Sequence, residues 1–351
     1  MSKVHNTLAH HDGRRDNNFT TIRIVLSWLV LYGHSFAINK VPGITDPLNQ
    51  LFQGSVWIGE IAVNGFFAIS GYLVTASLLR RGVLDYSVSR VLRIFPALVV
   101  CVLATVFVLG PVFSSLGTRE YLSSPGTVGY LSNAIAFLAM KWQLPGVFEH
   151  NTLSAVNGSL WTLTVEVRCY LALAIVGALL LRFNRTASNV VLLLILLWGV
   201  FFFASIPLLG VNGRWARPAL YFLIGVFLFV NRKSVVLDLR LALAALVLAY
   251  LSFGQPWFDY TFPPALAYLI FYLAYATRFI ATDRKIGDIS YGMYIYAWPV
   301  QQIVAEVLPG HTPYFNTLVS SIAVIGLACI SWHYLEKPVL GLKKVLLKSK
   351  A

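Results

Sequence analysis

Charge is what this chain has least of. Only 12% of its 351 residues are Asp, Glu, Lys or Arg, against 58% apolar. Soluble domains carry about 25% charged residues, so a water-facing globular surface is excluded and a polytopic helical membrane protein is expected. Acid is scarcer than base: 14 Asp and Glu face 27 Lys and Arg, a net charge of +13. That excess does not point to nucleic acid, because no basic stripe with interleaved aromatic platforms accompanies it. The basic residues stand in short clusters between apolar runs, as the positive-inside rule requires. Cysteine is rare too. Cys101, Cys169 and Cys329 lie far apart inside apolar segments, which excludes a disulfide framework or a zinc site, and no metal site is expected. The first twenty residues lack an apolar core before a cleavage site, so no cleavable signal is expected and the first helix targets the chain. No internal repeat is evident.

What is abundant is apolar sequence of spanning length. Runs fall at about 21–38, 56–79, 91–113, 159–181, 189–209, 215–231, 236–253, 262–279, 287–308 and 314–336. The stretch 127–140 is short for a span. Counting it out leaves ten spans with both termini cytoplasmic, and 21 of the 27 Lys and Arg then fall on the inner side. Counting it in inverts every later basic cluster. Ten spans with a re-entrant or interfacial piece near 127–140 is therefore the expected architecture. Residues 1–20 form a polar tail, 21–342 a single transmembrane domain and 343–351 a basic tail. The long outer connection, 114–158, holds Pro125, Gly126, Pro145 and Gly146 and is expected to cap the outer opening.

The polar residues inside these spans are few, and each has a bland alternative. Arg23 and His34 share one helix face, about 16 Å apart along the axis at 1.5 Å per residue. An arginine at an inner end is often a topology anchor, and a membrane histidine is often a helix contact. Together they suggest a polar path with a general base near its outer end. Arg90 and Arg93 lie one turn apart at the cytoplasmic start of the third span, suited to phosphate or to anchoring. Glu166 lies in the fourth span, about one-third of the way in from the outer face. An intramembrane carboxylate points to function unless a basic neighbour such as Arg168 neutralises it. The ninth span opens Gly287-Asp288-Ile289-Ser290-Tyr291-Gly292-Met293-Tyr294-Ile295-Tyr296 and continues Ala297-Trp298-Pro299. Near the end stands Tyr334-Leu335-Glu336-Lys337-Pro338.

Taken in order, these pieces resemble acyltransferase family 3 of membrane proteins. The resemblance rests on Arg23 and His34 with ten residues between them, FFAISGY, RVLR before Ile94-Phe95-Pro96, SLWTLTVE, ISYGMYIY and YLEKP. It covers about 18–342, and its specificity lies in order and spacing. It implies transfer of an acyl group, most often acetyl from acetyl-coenzyme A, onto a hydroxyl of a cell-surface or lipid-linked polysaccharide in the bacterial inner membrane. It assigns His34 as the catalytic histidine and Arg23 as its partner. Arg90 and Arg93 match the pair that holds the donor phosphates, and Glu166 and Glu336 match the family's two glutamates, with Glu336 on the donor side. No metal is implied; the partners are acyl-coenzyme A, a glycan acceptor and membrane lipid. The chain departs from the family twice. Ala297-Trp298-Pro299 stands where many members place a histidine before proline, and the appended hydrolase-like domain of many members is missing. Direct deprotonation by His34 and a first acetylation of His34 both remain open. The competing class is a transporter or flippase for a polysaccharide precursor, though the inverted repeats common in such folds are not evident.

Overall fold

The computed structural model describes residues 6–14, 16–137, 140–177, 185–201, 205–206, 211–212 and 216–348. Lys3, Arg15, Arg182, Arg214 and Lys350 of the charge argument lie outside the described residues. So do Leu138 and Ala139 of the 127–140 stretch and parts of the expected spans 159–181 and 189–209. The described chain is helical, apart from one antiparallel pair of two-residue strands, Ser205–Ile206 with Val211–Asn212. The longer helices are α1 (Phe19–Ile38), α2 (Ile58–Ala104), α3 (Trp161–Ala172), α4 (Arg185–Phe201), α5 (Arg217–Val230), α6 (Leu239–Leu251), α7 (Phe258–Ala276), α8 (Ser290–Val307) and α9 (Pro313–Ser331).

Among the described residues, three helical runs are long and apolar enough to cross a bilayer: α1, Ile58–Phe113 and Pro313–Leu347. The protein is an all-α membrane protein. Its exposed apolar residues follow helical spacing: Leu318, Ile322 and Ile325 line one face of α9, while Ser320, Val324 and Ala328 are buried on another. The 56-residue run Ile58–Phe113 is two helices joined at Gly82, whose φ of 82° and ψ of 172° break the helical ladder. Only glycine takes that conformation at no steric cost, so the break falls in the basic stretch between two apolar runs.

The helices gather into two compact units. The first holds residues 1–23, 63–86 and 168–285. In it the N-terminal strap pairs with the turn after α5: Leu8 N–H donates to Val235 O at 2.9 Å and Leu237 N–H to Asn6 O at 2.7 Å. Asp12 accepts from Arg232 Nε at 2.9 Å and also pairs with Arg80. A Cβ on Gly71 would lie 2.0 Å from Phe222 O, so α2 and α5 meet backbone to backbone, which accounts for the small residues of FFAISGY.

The second unit holds residues 24–62, 87–167 and 286–351. Its apolar centre joins Leu31 of α1, Ile289 beside α8, Met293 and Ala297 of α8, and Val324 and Ala328 of α9. Beside it lies a buried polar layer. Gln301 Nε2 donates to Leu31 O at 2.8 Å and to Ser35 Oγ at 2.7 Å, and Thr317 Oγ1 pairs with Ser35 Oγ at 2.8 Å. Asn316 Nδ2 donates to Asn39 Oδ1 at 2.8 Å. Residues 125–135 of the long connection 114–158 form a six-residue helix, Pro125–Tyr130, and a 3-10 turn, Leu131–Ile135. Its far end is strapped to α8. Gln302 Nε2 donates to Leu153 O at 2.6 Å and Ala155 O at 2.7 Å, and Asn157 Nδ2 donates to Ile295 O at 2.9 Å.

Candidate active site

His34 sits near the end of α1 at 7% exposure, between two tryptophans. The Trp298 ring meets it edge-on, with centroids 4.7 Å apart, and Trp57 lies tilted at 6.0 Å. Each tryptophan is placed by local sequence. Asp46 caps Pro47–Leu51 through Oδ1 and takes the Ile58 N–H on Oδ2 at 3.0 Å, fixing the chain on either side of Trp57. A Cβ on Gly59 would lie 2.0 Å from the Trp57 ring, so glycine lets the ring fold back over its own helix. Trp298 Nε1 donates to Ala155 O at 2.8 Å, and a Cβ on Gly158 would lie 2.6 Å from its ring. Held this way, the imidazole has a buried Nδ1 with no hydrogen-bond partner among the described residues. Buried polar atoms are nearly always paired, so an open ring nitrogen in a packed interior calls for an explanation.

A second cluster forms around Arg93. Its guanidinium donates from Nη2 to Asp288 Oδ2 at 2.9 Å and from Nη1 to Glu336 Oε2 at 3.1 Å. The Tyr291 and Trp332 rings flank it at 5.6 and 5.7 Å. Glu336 is drawn in by the π-helical turn Trp332–Glu336: with Lys337 N–H reaching back to Trp332 O, residues five apart align, and Ser331 Oγ donates to Glu336 Oε1 at 3.0 Å. Tyr291 donates its hydroxyl to Ile94 O at 2.8 Å. Glu166 on α3 lies within electrostatic reach of the Tyr291 and Tyr294 hydroxyls, and Tyr294 also pairs with Thr162 Oγ1 at 2.5 Å.

Five of the six candidates from the sequence, His34, Arg90, Arg93, Glu166 and Glu336, fall in the second unit, while Arg23 lies on α1 in the first. Arg93 and Glu336 touch, Arg90 lies half-buried one turn before Arg93, and Glu166 stands on α3, one turn after Thr162, which pairs with Tyr294. His34 belongs to the Trp298 platform. One face of α8 carries both arrangements: seven residues, about 10 Å of helix, lead from Tyr291 to Trp298. Sequence reasoning missed Asp288, Trp57, Trp298 and Gln301. The Gly287-Asp288 step was in view, but nothing local pairs Asp288 with an arginine 195 residues away. The family resemblance gives Arg93 to the donor's phosphates; the structure shows its guanidinium between two carboxylates.

Comparison with known proteins now decides the family. The profile described as an acyltransferase domain matches residues 16–333, nearly the whole chain. The chain belongs to acyltransferase family 3. It is an enzyme, an acyltransferase of the class that moves groups other than aminoacyl groups. The acyltransferase is 31% identical over 350 residues to an O-acetyl transferase of Shigella phage Sf6, covering 92% of this chain and 96% of the relative. It is 28% identical over 369 residues to nodulation protein 10 of Rhizobium leguminosarum bv. viciae, covering 96% of each. No solved structure matches it significantly.

Proposed function

We propose that this acyltransferase is an O-acetyltransferase of the bacterial inner membrane. It moves an acetyl group from acetyl-coenzyme A to a hydroxyl of a cell-surface or lipid-linked polysaccharide. The observation that carries the proposal is His34, a titratable ring gripped by two tryptophans with a buried nitrogen that no described protein group engages. The name of the phage relative supports acetyl as the group transferred.

In this proposal His34 is the general base. It withdraws the proton of the acceptor hydroxyl as that oxygen bonds to the thioester carbonyl. The C–S bond then breaks, and the proton returns to the departing thiolate. Arg23 lies along the donor's path, about 16 Å before His34 on the same helix. Glu166 orients the acceptor's hydroxyls. Arg90 and Arg93 meet the donor's phosphates, and Asp288 and Glu336 hold the Arg93 guanidinium in place. Glu336 thus serves the donor side by setting Arg93's orientation. Residues 21–342 act as one transmembrane domain between a polar and a basic tail. Ten spans, both termini cytoplasmic and a non-crossing 127–140 segment complete the proposed topology; the distribution of basic residues supports it.

Mass spectrometry of surface polysaccharide tests the proposal in cells with wild-type protein, no protein or His34→Ala, with membrane abundance of each checked by blot. Acetyl groups are expected with wild type alone. Unchanged acetylation without the protein, together with less surface polysaccharide, would refute it in favour of transport.

A further inference from the structure

We infer that Asn157 is a positioning residue for His34: its amide serves the carbonyl that Pro299 leaves open on α8, and so seats the Trp298 ring against the imidazole. This rests on the role proposed for His34. A helical carbonyl accepts from the N–H four residues on, and the residue four beyond Ile295 is Pro299, which has none. Ile295 has no exposed surface, so its carbonyl needs a donor from outside that helical pattern. Asn157 supplies one: Nδ2 donates to Ile295 O at 2.9 Å. Cys101 adds only a thiol at 3.6 Å, a weak donor. Asn157 is itself fully buried, and its Oδ1 takes the Ser159 N–H at 3.1 Å. A backbone carbonyl can only accept and a backbone N–H can only donate, so the amide is fixed at both ends and cannot be flipped.

This bond is one end of a short zip along α8. Ile295, Trp298 and Gln302, at spacings of three and four, share a helix face, and each is tied to residues 153–157. Trp298 Nε1 donates to Ala155 O at 2.8 Å, and Gln302 Nε2 donates to Ala155 O at 2.7 Å and Leu153 O at 2.6 Å. Next to Asn157 stands Gly158, where a Cβ would lie 2.6 Å from the Trp298 ring. The same ring lies edge-on to His34, with centroids 4.7 Å apart. The register of this segment on α8 therefore sets where the ring stands, and Asn157 sets the register by gripping a carbonyl opened by proline.

The test uses the purified full-length protein in lipid nanodiscs with ¹³C- and ¹⁵N-labelled histidine, the His34 ring signals being assigned by their loss in His34→Gln. Asn157→Ser keeps an acceptor for the Ser159 N–H, since serine makes the same kind of turn, but it is too short to reach Ile295 O. It should move the His34 signals toward those of Trp298→Leu, in which the indole's shielding is gone. It should also lower kcat for acetyl transfer about 10-fold, the scale of one lost hydrogen bond, with the KM for acetyl-coenzyme A little changed. Pro299→Ala returns an N–H that can serve Ile295 O from within α8. In that background Asn157→Ser should move the His34 signals little and cost little of kcat. Equal losses of kcat in the two backgrounds overturn the inference, because Asn157 then does not act through the carbonyl; so do His34 signals unmoved by Asn157→Ser alone. Should Asn157→Ser fold only together with Pro299→Ala, that rescue supports the inference, and failure to fold in both backgrounds overturns it. Full acetyl transfer by His34→Gln would instead sink the role of His34, whatever the position of its ring.

Discussion

Arg93→Met keeps much of the side chain's volume and removes the cation that Asp288 and Glu336 share. Glu336 is 3% exposed at its side chain, with Arg93 at 15% and Asp288 at 17%. Removing one partner of a buried ion pair costs about 3–5 kcal/mol, because the remaining charge stays desolvated. The partial exposure of Asp288 places the expectation at the low end, about 3 kcal/mol, or on the order of a hundredfold in the folding equilibrium. Adding Asp288→Asn and Glu336→Gln to Arg93→Met removes the stranded charges, keeps the shapes and leaves Ser331 a side-chain acceptor. The triple variant should recover about 1.5–3 kcal/mol of the loss, the scale of coupling between contacting groups. Graded denaturant unfolding in detergent, followed by tryptophan fluorescence at a fixed temperature, measures all three proteins. An Arg93→Met protein as stable as wild type would refute the structural weight given to this cluster. So would a triple variant no better than Arg93→Met.

Arg90→Ala should raise the KM for acetyl-coenzyme A by roughly tenfold or more, the scale of a charged hydrogen bond, and change kcat far less in a steady-state assay with purified protein. His34→Ala should abolish acetyl transfer with membrane abundance unchanged, read by transfer from radiolabelled donor. Trp298→Ala should cost about 3–5 kcal/mol and Trp298→Phe clearly less, measured by denaturant unfolding, since only the ring's packing and its bond to Ala155 O are at stake. Gly59→Ala sets a methyl 2.0 Å from the Trp57 ring and should cost about 1–3 kcal/mol, with an altered tryptophan emission.

The helices were legible because apolar length is a local property. The runs at 215–231, 236–253, 262–279 and 287–308 fall on α5, α6, α7 and α8 with ends shifted by a few residues. The interruption at Gly82 was legible only as a basic gap, since its cause is one backbone dihedral. The spacing of Arg23 and His34 on α1 also follows from sequence, because helix geometry alone sets it. The Arg93 cluster was not legible: its carboxylates lie 195 and 243 residues away, and only tertiary packing chooses them. The place of Trp298 was not legible for a related reason. In sequence it stands as a departure from the family's histidine, and nothing local says that its ring lies against His34 or that Gly158 leaves room for it.

The placement of both clusters along α8 has a consequence for how such proteins can diverge. Between Tyr291 and Trp298 the helix works as a ruler, with its zero mark at Arg93 and its far mark at His34. One inserted or deleted residue within that interval would turn the far mark by about 100° and slide it about 1.5 Å, parting the tryptophan from the histidine while leaving the arginine cluster whole. Substitution leaves the ruler intact; a change of length does not. Variation in this stretch is therefore confined to exchange of side chains, and new reach for a different acceptor must be gained outside it, in segments whose length is not tied to α8.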